Sequence, residues 1–273
     1  TEIMKTDKNG EETPICTDWY IARTFDDSEL RLLIDSVLFS KNIPAKQCKQ
    51  LIHKLEGLSN VYFKSRVKHV CNLPENRPEN PELFYTIDVL DEAISKNKKV
   101  EFVYNAYGAD KKLHPKRERT YVVSPYQMAA TNGRYYLICN YDKYDNIDHY
   151  RVDHITKIQI LKDSRKPLSA LSEKQINLPK HMAEHVYMFG GKTVRAKFKA
   201  PVYIIDQIVD WFGTDADFKP LDADSVEVSV DVNENAFFCW AIQYGMHVEV
   251  SEPLSVRERV ICAVKDMAEK YGL

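Results

Sequence analysis

The stretch Tyr126-Gln-Met-Ala-Ala-Thr131-Asn132-Gly133-Arg134-Tyr135-Tyr136-Leu137-Ile138-Cys139-Asn140 decides the fold class. Asn132-Gly133 separates two runs rich in apolar and aromatic residues. A type I′ turn needs positive φ at both central positions, which Asn and Gly adopt at the least cost, so the pair predicts a two-residue β-hairpin. Outward from the hairpin the period stays at two. Val100, Phe102 and Tyr104 alternate with polar residues, and further strands read at Arg119–Val123, Tyr126–Thr131, Arg134–Asn140, Ile147–His154 and Ile155–Leu161, the last two as separate strands or one bent strand. Short strands in such close succession, with no helix between them, predict a small closed β-barrel.

Helical spacing precedes this segment. Residues 1–25 read as a polar loop or hairpin ending in Trp19-Tyr20-Ile21. A first helix is expected near 27–40, capped by Asp26 or Asp27, with Leu30, Leu33, Ile34 and Val37 on its apolar face. Pro44 opens a second helix carrying Cys48, Leu51, Ile52 and Leu55, and the short connection suggests a helical hairpin. A Pro/Asn/Glu-rich break (Leu73 to Pro78) follows. Asn80-Pro81 then starts a third helix with Leu83, Ile87, Leu90 and Ile94 facing inward. Beyond the barrel, residues 167–191 read as a linker with one short helix. After Gly191 the order is strand, helix, strand, strand, helix, strand, helix, which is a ferredoxin-like pattern with a closing helix. The fold class is therefore α+β.

The 273 residues are enough for two or three small domains, and 44% hydrophobic with 29% charged residues is globular composition. No apolar run approaches the ~18 residues of a membrane span, and no signal peptide or lipidation signal is visible. The six cysteines (Cys16, Cys48, Cys71, Cys139, Cys239 and Cys262) are scattered, with no C-x-x-C pair. They read as free buried thiols in a reducing, cytoplasmic setting rather than a disulfide framework or a zinc site. The net charge of −2 conceals an uneven distribution. Residues 96–166 carry 15 basic against 8 acidic side chains and 9 of the 16 tyrosines, whereas residues 201–273 carry 5 against 14. Cations interleaved with aromatics suit a polyanion with exposed bases, against the plainer reading of a solvated, Tyr-rich sheet.

Catalytic signatures are sparse. The nine glycines form neither G-x-G-x-x-G nor G-x-x-x-x-G-K-[ST], and G-x-S-x-G is missing. His181-Met182-Ala183-Glu184-His185 fits the H-x-x-E-H pattern of inverted zinc peptidases, but its helix is short and no second motif supplies a third ligand. A packing role is the expectation, and neither an enzyme nor a bound metal or cofactor is predicted. The constellation that points to function is the basic run Lys111, Lys112, Lys116, Arg117 and Arg119, with Tyr135-Tyr136-Leu137 after the turn and Tyr150-Arg151-Val152-Asp153-His154-Ile155 one strand later. Strand alternation would put Arg151 and Asp153 together on an exposed face, either as a surface ion pair or as a phosphate-binding Arg oriented by Asp.

These motifs resemble the WYL domain, an Sm-like barrel named for Trp-Tyr-Leu, here Tyr135-Tyr136-Leu137. Val100-Glu-Phe-Val-Tyr104, Arg119 leading to Ser124-Pro125, Asn132-Gly133-Arg134 and Tyr150-Arg-Val-Asp-His-Ile155 are similar to the family in order and spacing. Relatives usually carry Phe-Arg-Leu-Asp-Arg-Ile in the last element, so His154 stands in place of an Arg. Met188-Phe189-Gly190, Trp211-Phe212-Gly213, Phe238-Cys-Trp240, Tyr244-Gly245, Val248-Glu-Val250 and Glu252-Pro253-Leu254 resemble the C-terminal extension of such regulators. Trp19-Tyr20, Arg23, Phe25 and Glu29-Leu30 resemble the junction that leaves a winged helix-turn-helix.

The resemblance implies the ligand-sensing, dimerising region of a bacterial transcription regulator, here lacking most of the N-terminal winged helix-turn-helix. Its expected divisions are a wing remnant (1–25), a helical linker or dimerisation segment (26–97), a WYL barrel of Sm/SH3-like type (98–166), a linker (167–191) and the extension (192–273). By the same analogy a single-stranded nucleic acid or nucleotide-like effector would be held by Arg119, Ser124, Tyr126, Tyr136, Arg151, Asp153 and His154. Operator DNA would be held by the missing head, in a cytoplasmic homodimer without membrane contact. An accessory modulator of an RNA-guided nuclease or phage-defence system is the rival reading, and a zinc hydrolase the remote one.

Overall fold

The computed structural model describes residues 2–16, 24–59, 63, 80–171 and 177–273, which form two compact units. The expectations placed on Trp19-Tyr20, Arg23, Cys71 and the Leu73–Pro78 break lie outside the described residues. The first unit opens with a β-hairpin of β1 (Glu2–Thr6) and β2 (Glu12–Cys16). Helices α1 (Asp27–Phe39) and α2 (Ala45–Glu56) follow and pack together. Asp26 is the α1 cap. Its carboxylate accepts from the Ser28 and Glu29 amides, and Glu29 accepts from the Asp26 amide, a capping box worth about 1 kcal/mol. Leu30, Ile34, Cys48 and Ile52 are buried. Leu33, expected on the inner face, is exposed, because the contact with α2 uses only the narrow stripe through Leu30 and Ile34.

In the second unit, α3 (Leu83–Ser95) lies on a sheet of six antiparallel strands: β3 (Lys98–Tyr107), β4 (Leu113–Pro115), β5 (Tyr121–Thr131), β6 (Arg134–Tyr141), β7 (Asp148–Arg151) and β8 (Ile155–Ser164). The sheet path is β4-β3-β5-β6-β7, with β8 also pairing β3. The sheet curls, but no ladder joins β7 to β8, so it is a half-barrel rather than the closed barrel expected. The chain between those strands spends three residues, Val152–His154, in a 3₁₀ turn that carries no strand hydrogen bonds. The hairpin turn is as expected: Asn132 has φ 51° and Gly133 φ 71°, with Thr131 opposite Arg134. The two strands read at 119–123 and 126–131 are one, because a bulge between Pro125 and Gln127 absorbs the break in alternation.

Two buried asparagines clamp the 3₁₀ turn. Asn80 Nδ2 donates to the carbonyls of Asp153 (2.9 Å) and Ile155 (2.8 Å), while its Oδ1 accepts from the Glu82 amide at the start of α3. From β3, Asn105 Nδ2 donates to His154 O and Thr156 Oγ1 at 2.9 Å each, and its carbonyl accepts from His154 Nδ1 at 3.0 Å. Asn80→Ala removes the side-chain donor from two carbonyls and is expected to cost about 2 kcal/mol in urea unfolding. A loss below about 0.5 kcal/mol would mean the clamp carries no weight.

The segment after β8 leads through α4 (Leu178–Glu184) to a second sheet, ordered β10 (Asp217–Pro220), β11 (Ser225–Asn233), β9 (Thr193–Pro201), β12 (Glu249–Glu252), all neighbours antiparallel. Helices α5 (Ile205–Phe212), α6 (Glu234–Gln243) and α7 (Leu254–Lys270) complete it. Its core gathers Phe198, Ile208, Phe212, Val228, Phe237 and Trp240. Of the cysteines described, Cys48 and Cys139 are buried thiols outside any disulfide, as expected. Cys239 and Cys262 are exposed: α6 turns Ala236, Phe237, Trp240 and Ala241 inward, which leaves Cys239 outward, and α7 buries only Val256 fully. No described helix is long and apolar enough to cross a membrane.

Candidate anion-binding site

Register across β5, β6 and β7 sets the site. Ala129 lies opposite Tyr136, and Tyr136 opposite Arg151, so these side chains form one row across the sheet. Arg134, two residues before Tyr136, shares its face. Leu137 and Cys139 point the other way and are buried. Behind the row, Phe102, Tyr104, Tyr121 and Tyr150 pack edge to face or stacked, with ring centres 4.9–6.4 Å apart. Burial pushes the phenols of Tyr104 and Tyr150 up, so both stay neutral.

Arg151 and Asp153 are together, but not as alternation would have them. The 3₁₀ turn removes the period of two, and Val152, Asp153 and His154 are all buried. Asp153 is fully buried, whereas the Arg151 side chain is 22% exposed. Arg151 Nε donates to Asp153 Oδ1 at 3.1 Å and Nη2 to Oδ2 at 2.6 Å, a two-point pairing that fixes the guanidinium plane. The Arg151 amide donates to the Tyr104 hydroxyl at 3.3 Å. Burial works against the Arg151 charge, but the Asp153 carboxylate outweighs it and holds the guanidinium protonated more firmly than usual. Nη1 has no protein partner among the described residues, so the guanidinium keeps an edge for an oxyanion.

His154 is buried, with Nδ1 on the Asn105 carbonyl and Nε2 without a partner. Burial, and then the charge of Arg151, hold its pKa below the ordinary histidine value. The other expected residues do not join this row. Ser124 is buried, its hydroxyl donating to Asp142 Oδ1 (3.3 Å) and accepting from the Lys166 amide (2.9 Å). Tyr126 is buried too, its hydroxyl donating to the Lys166 carbonyl at 2.8 Å, with its pKa raised by burial to about 12. Both tie β5 to the chain leaving β8. Arg119 is exposed ahead of β5, within the basic run, where Arg117 lies over the Tyr121 ring at 5.2 Å.

Sequence reasoning missed two features. Arg134 reads only as the first residue of the strand after the turn, and the β6–β7 register brings the face it shares with Tyr136 beside Arg151. The H-x-x-E-H histidines acquire a third companion: His149 on β7 meets His181 of α4 and His185 at its C-terminal end. Among the described residues no three His, Cys, Asp or Glu side chains place their donor atoms to hold a metal ion.

Comparison with known proteins agrees with this division of the second unit. A WYL domain matches residues 85–160 and a WCX domain residues 190–268. No curated protein matches the chain. Among solved structures it is similar to proteasome accessory factor B/C (PafBC) of Arthrobacter aurescens, at 13% identity and TM-score 0.33 over 90% of this chain. It spans only 36% of that protein. It is also similar to a CRISPR Cas-related protein, at 14% identity and TM-score 0.48, over 92% of this chain and 75% of that one. The protein thus carries a WYL domain, with α3 at its start and the Arg151 row on its sheet, followed by a WCX domain.

Proposed function

We propose that this chain is the ligand-sensing region of a WYL-type transcription regulator, and that the row Arg134, Tyr136 and Arg151 binds single-stranded nucleic acid or a nucleotide-like effector. The observation that carries the reading is Arg151, a half-buried cation held by a fully buried carboxylate with one edge of its guanidinium left over. A carboxylate placed only to neutralise Arg151 could sit at the surface. A buried one preorganises the cation for a partner outside. Tyr136 beside it offers a ring on which a base can stack, and the basic run 111–119 extends the positive surface. On this reading the curled sheet with its 3₁₀ turn is a half-barrel of the Sm/SH3 kind, and the strand order β10-β11-β9-β12 is ferredoxin-like. The regulator works in the cytoplasm as a homodimer, with operator DNA held by a winged helix-turn-helix outside this chain. Effector binding shifts the WCX domain relative to the WYL sheet.

Fluorescence anisotropy with short single-stranded RNA, single-stranded DNA and duplex DNA, across a salt series, tests this. Single strands are expected to bind with affinity that falls steeply with salt, and Arg151→Ala to weaken binding by about 10–100-fold, the worth of one charged hydrogen-bonding group. Failure of the unmodified protein to bind any of them, or unchanged binding by Arg151→Ala, would overturn it.

A further inference from the structure

The chain leaving α4 sends side chains to two cores in turn. Val186 enters the WCX core and Tyr187 packs on its flank. Met188 instead joins Tyr126, Ala129, Ile138 and Ile147 on the WYL sheet, the cluster against which Tyr136 also lies. Asn132, two residues before Arg134, donates to the Val186 carbonyl at 3.0 Å. Phe189 and Gly190 then pass the start of β7, where a Cβ on Gly190 would lie 3.6 Å from Asp148 Oδ1. Arg151 is three residues further along β7, roughly 10 Å at the rise of an extended strand. Segment 186–190 thus borders the row of Arg134, Tyr136 and Arg151 on its WCX side.

Phe189 is also the outer end of a column of rings. Trp240, fully buried in the WCX core, meets Tyr244 at 4.9 Å between ring centres. The Tyr244 hydroxyl accepts from Trp211 Nε1 at 3.0 Å. Trp211 meets Tyr187 at 5.0 Å, and Tyr187 stacks on Phe189 at 5.6 Å and 27°. The Tyr187 hydroxyl donates to Gln243 Oε1 at 2.8 Å, which fixes its ring. Burial falls along the column until Phe189 is 40% exposed. Among the described residues no ring but Tyr187 meets Phe189, and the next two positions, Gly190 and Gly191, place no side chain over it. A column anchored in the core holds an exposed aromatic face at little entropic cost to a partner.

We propose that Phe189 is a stacking platform for a base, and that the ligand is a single strand of several nucleotides lying across the Arg151 row and the WCX margin, not a mononucleotide. The inference rests on the reading of Arg134, Tyr136 and Arg151 as a nucleic-acid site. Aromatic faces take any base, whereas cations take the phosphates. The surface is divided in that way. Arg134 and Arg151 supply charge, and Tyr136 a first ring, at one end. At the other end Phe189 supplies a second ring without a cation. Asp148, which accepts from Asn146, lies at that end of β7 and disfavours a phosphate there. An uncharged base is therefore what Phe189 can hold. An apolar peptide would use Phe189 but not the arginines.

Anisotropy of labelled oligothymidylates and oligouridylates, of about two and about eight nucleotides, on the full chain tests this. Phe189→Ala is expected to weaken the longer strands by about 5–100-fold, the worth of one stacked base, and the shorter ones far less. Phe189→Leu is expected to lose as much and Phe189→Tyr to bind like the unmodified protein, because stacking needs a ring rather than apolar bulk. Arg151→Ala is expected to weaken both lengths. Equal effects of Phe189→Ala on the two lengths, or none on either, while Arg151→Ala still weakens both, would overturn the platform and leave the arginine row standing. Full binding by Phe189→Leu would overturn it in favour of a plain apolar contact. Failure of the unmodified protein to bind either length removes the row itself, and the platform with it.

Discussion

Asp153→Ala is expected to lower the unfolding free energy by about 3 kcal/mol and, on the proposed function, to abolish anion binding at Arg151. Asp153 is fully buried and bonded twice to a guanidinium that is itself only 22% exposed. Removing the carboxylate leaves that cation with its Nε and Nη2 donors unmatched in a pocket walled by Tyr104, and among the described residues no other carboxylate pairs with it. The surface value of 0–1 kcal/mol does not apply, because one partner has no access to water. Asp153→Asn keeps one acceptor and should fall between the two. Urea unfolding measures the stability arm, and anisotropy the binding arm. A loss under about 1 kcal/mol would reduce the pair to an ordinary surface bridge. Full binding by Asp153→Ala would show that Arg151 needs no orientation.

Trp240→Ala is expected to cost about 3–5 kcal/mol, the largest single loss in the WCX domain. Trp240 is fully buried, with Phe212 at 4.7 Å, Tyr244 at 4.9 Å, Phe198 at 5.0 Å and Phe237 at 6.1 Å between ring centres. It therefore joins α5, α6 and β9 through one side chain, and alanine leaves a cavity that three elements must close around. The indole Nε1 has no hydrogen-bond partner, so Trp240→Phe removes an unsatisfied donor along with some contact area. That variant should lose only about 1 kcal/mol. Similar losses for the two, measured by thermal or urea unfolding, would mean that the indole nitrogen is satisfied.

Much of the secondary structure was legible because its signals are local. Asn132-Gly133 permits the positive φ values of the turn whatever surrounds it, and Asp26 with Glu29 closes a capping box within four residues. Gly213 ends α5 with φ 76°, a left-handed angle that glycine adopts without strain. The strand-helix-strand-strand-helix-strand order of the WCX domain also followed from period alone. The candidate site was legible only in part. Tyr136, Arg151, Asp153 and His154 fall at or beside the row, while Ser124 and Tyr126 are drawn into bonds with Lys166, and Arg119 remains on the basic loop.

Alternation failed at residues 152–154 because two asparagines, one of them 73 residues away in sequence from Asp153, bend the strand into a 3₁₀ turn. A period of two cannot register a hydrogen bond that arrives from elsewhere in the chain. For the same reason the H-x-x-E-H stretch gave no hint of His149, whose place beside His181 depends on how α4 meets β7. Most strands and helices, the Asn132-Gly133 turn and the positively charged segment could be read from the chain alone, because φ preferences, periodicity and charge are properties of neighbouring residues. Only three-dimensional packing buries Asp153, brings Arg151 beside the face of Arg134 and Tyr136, and gathers His149, His181 and His185, because burial and register arise only when distant segments compete for the same space.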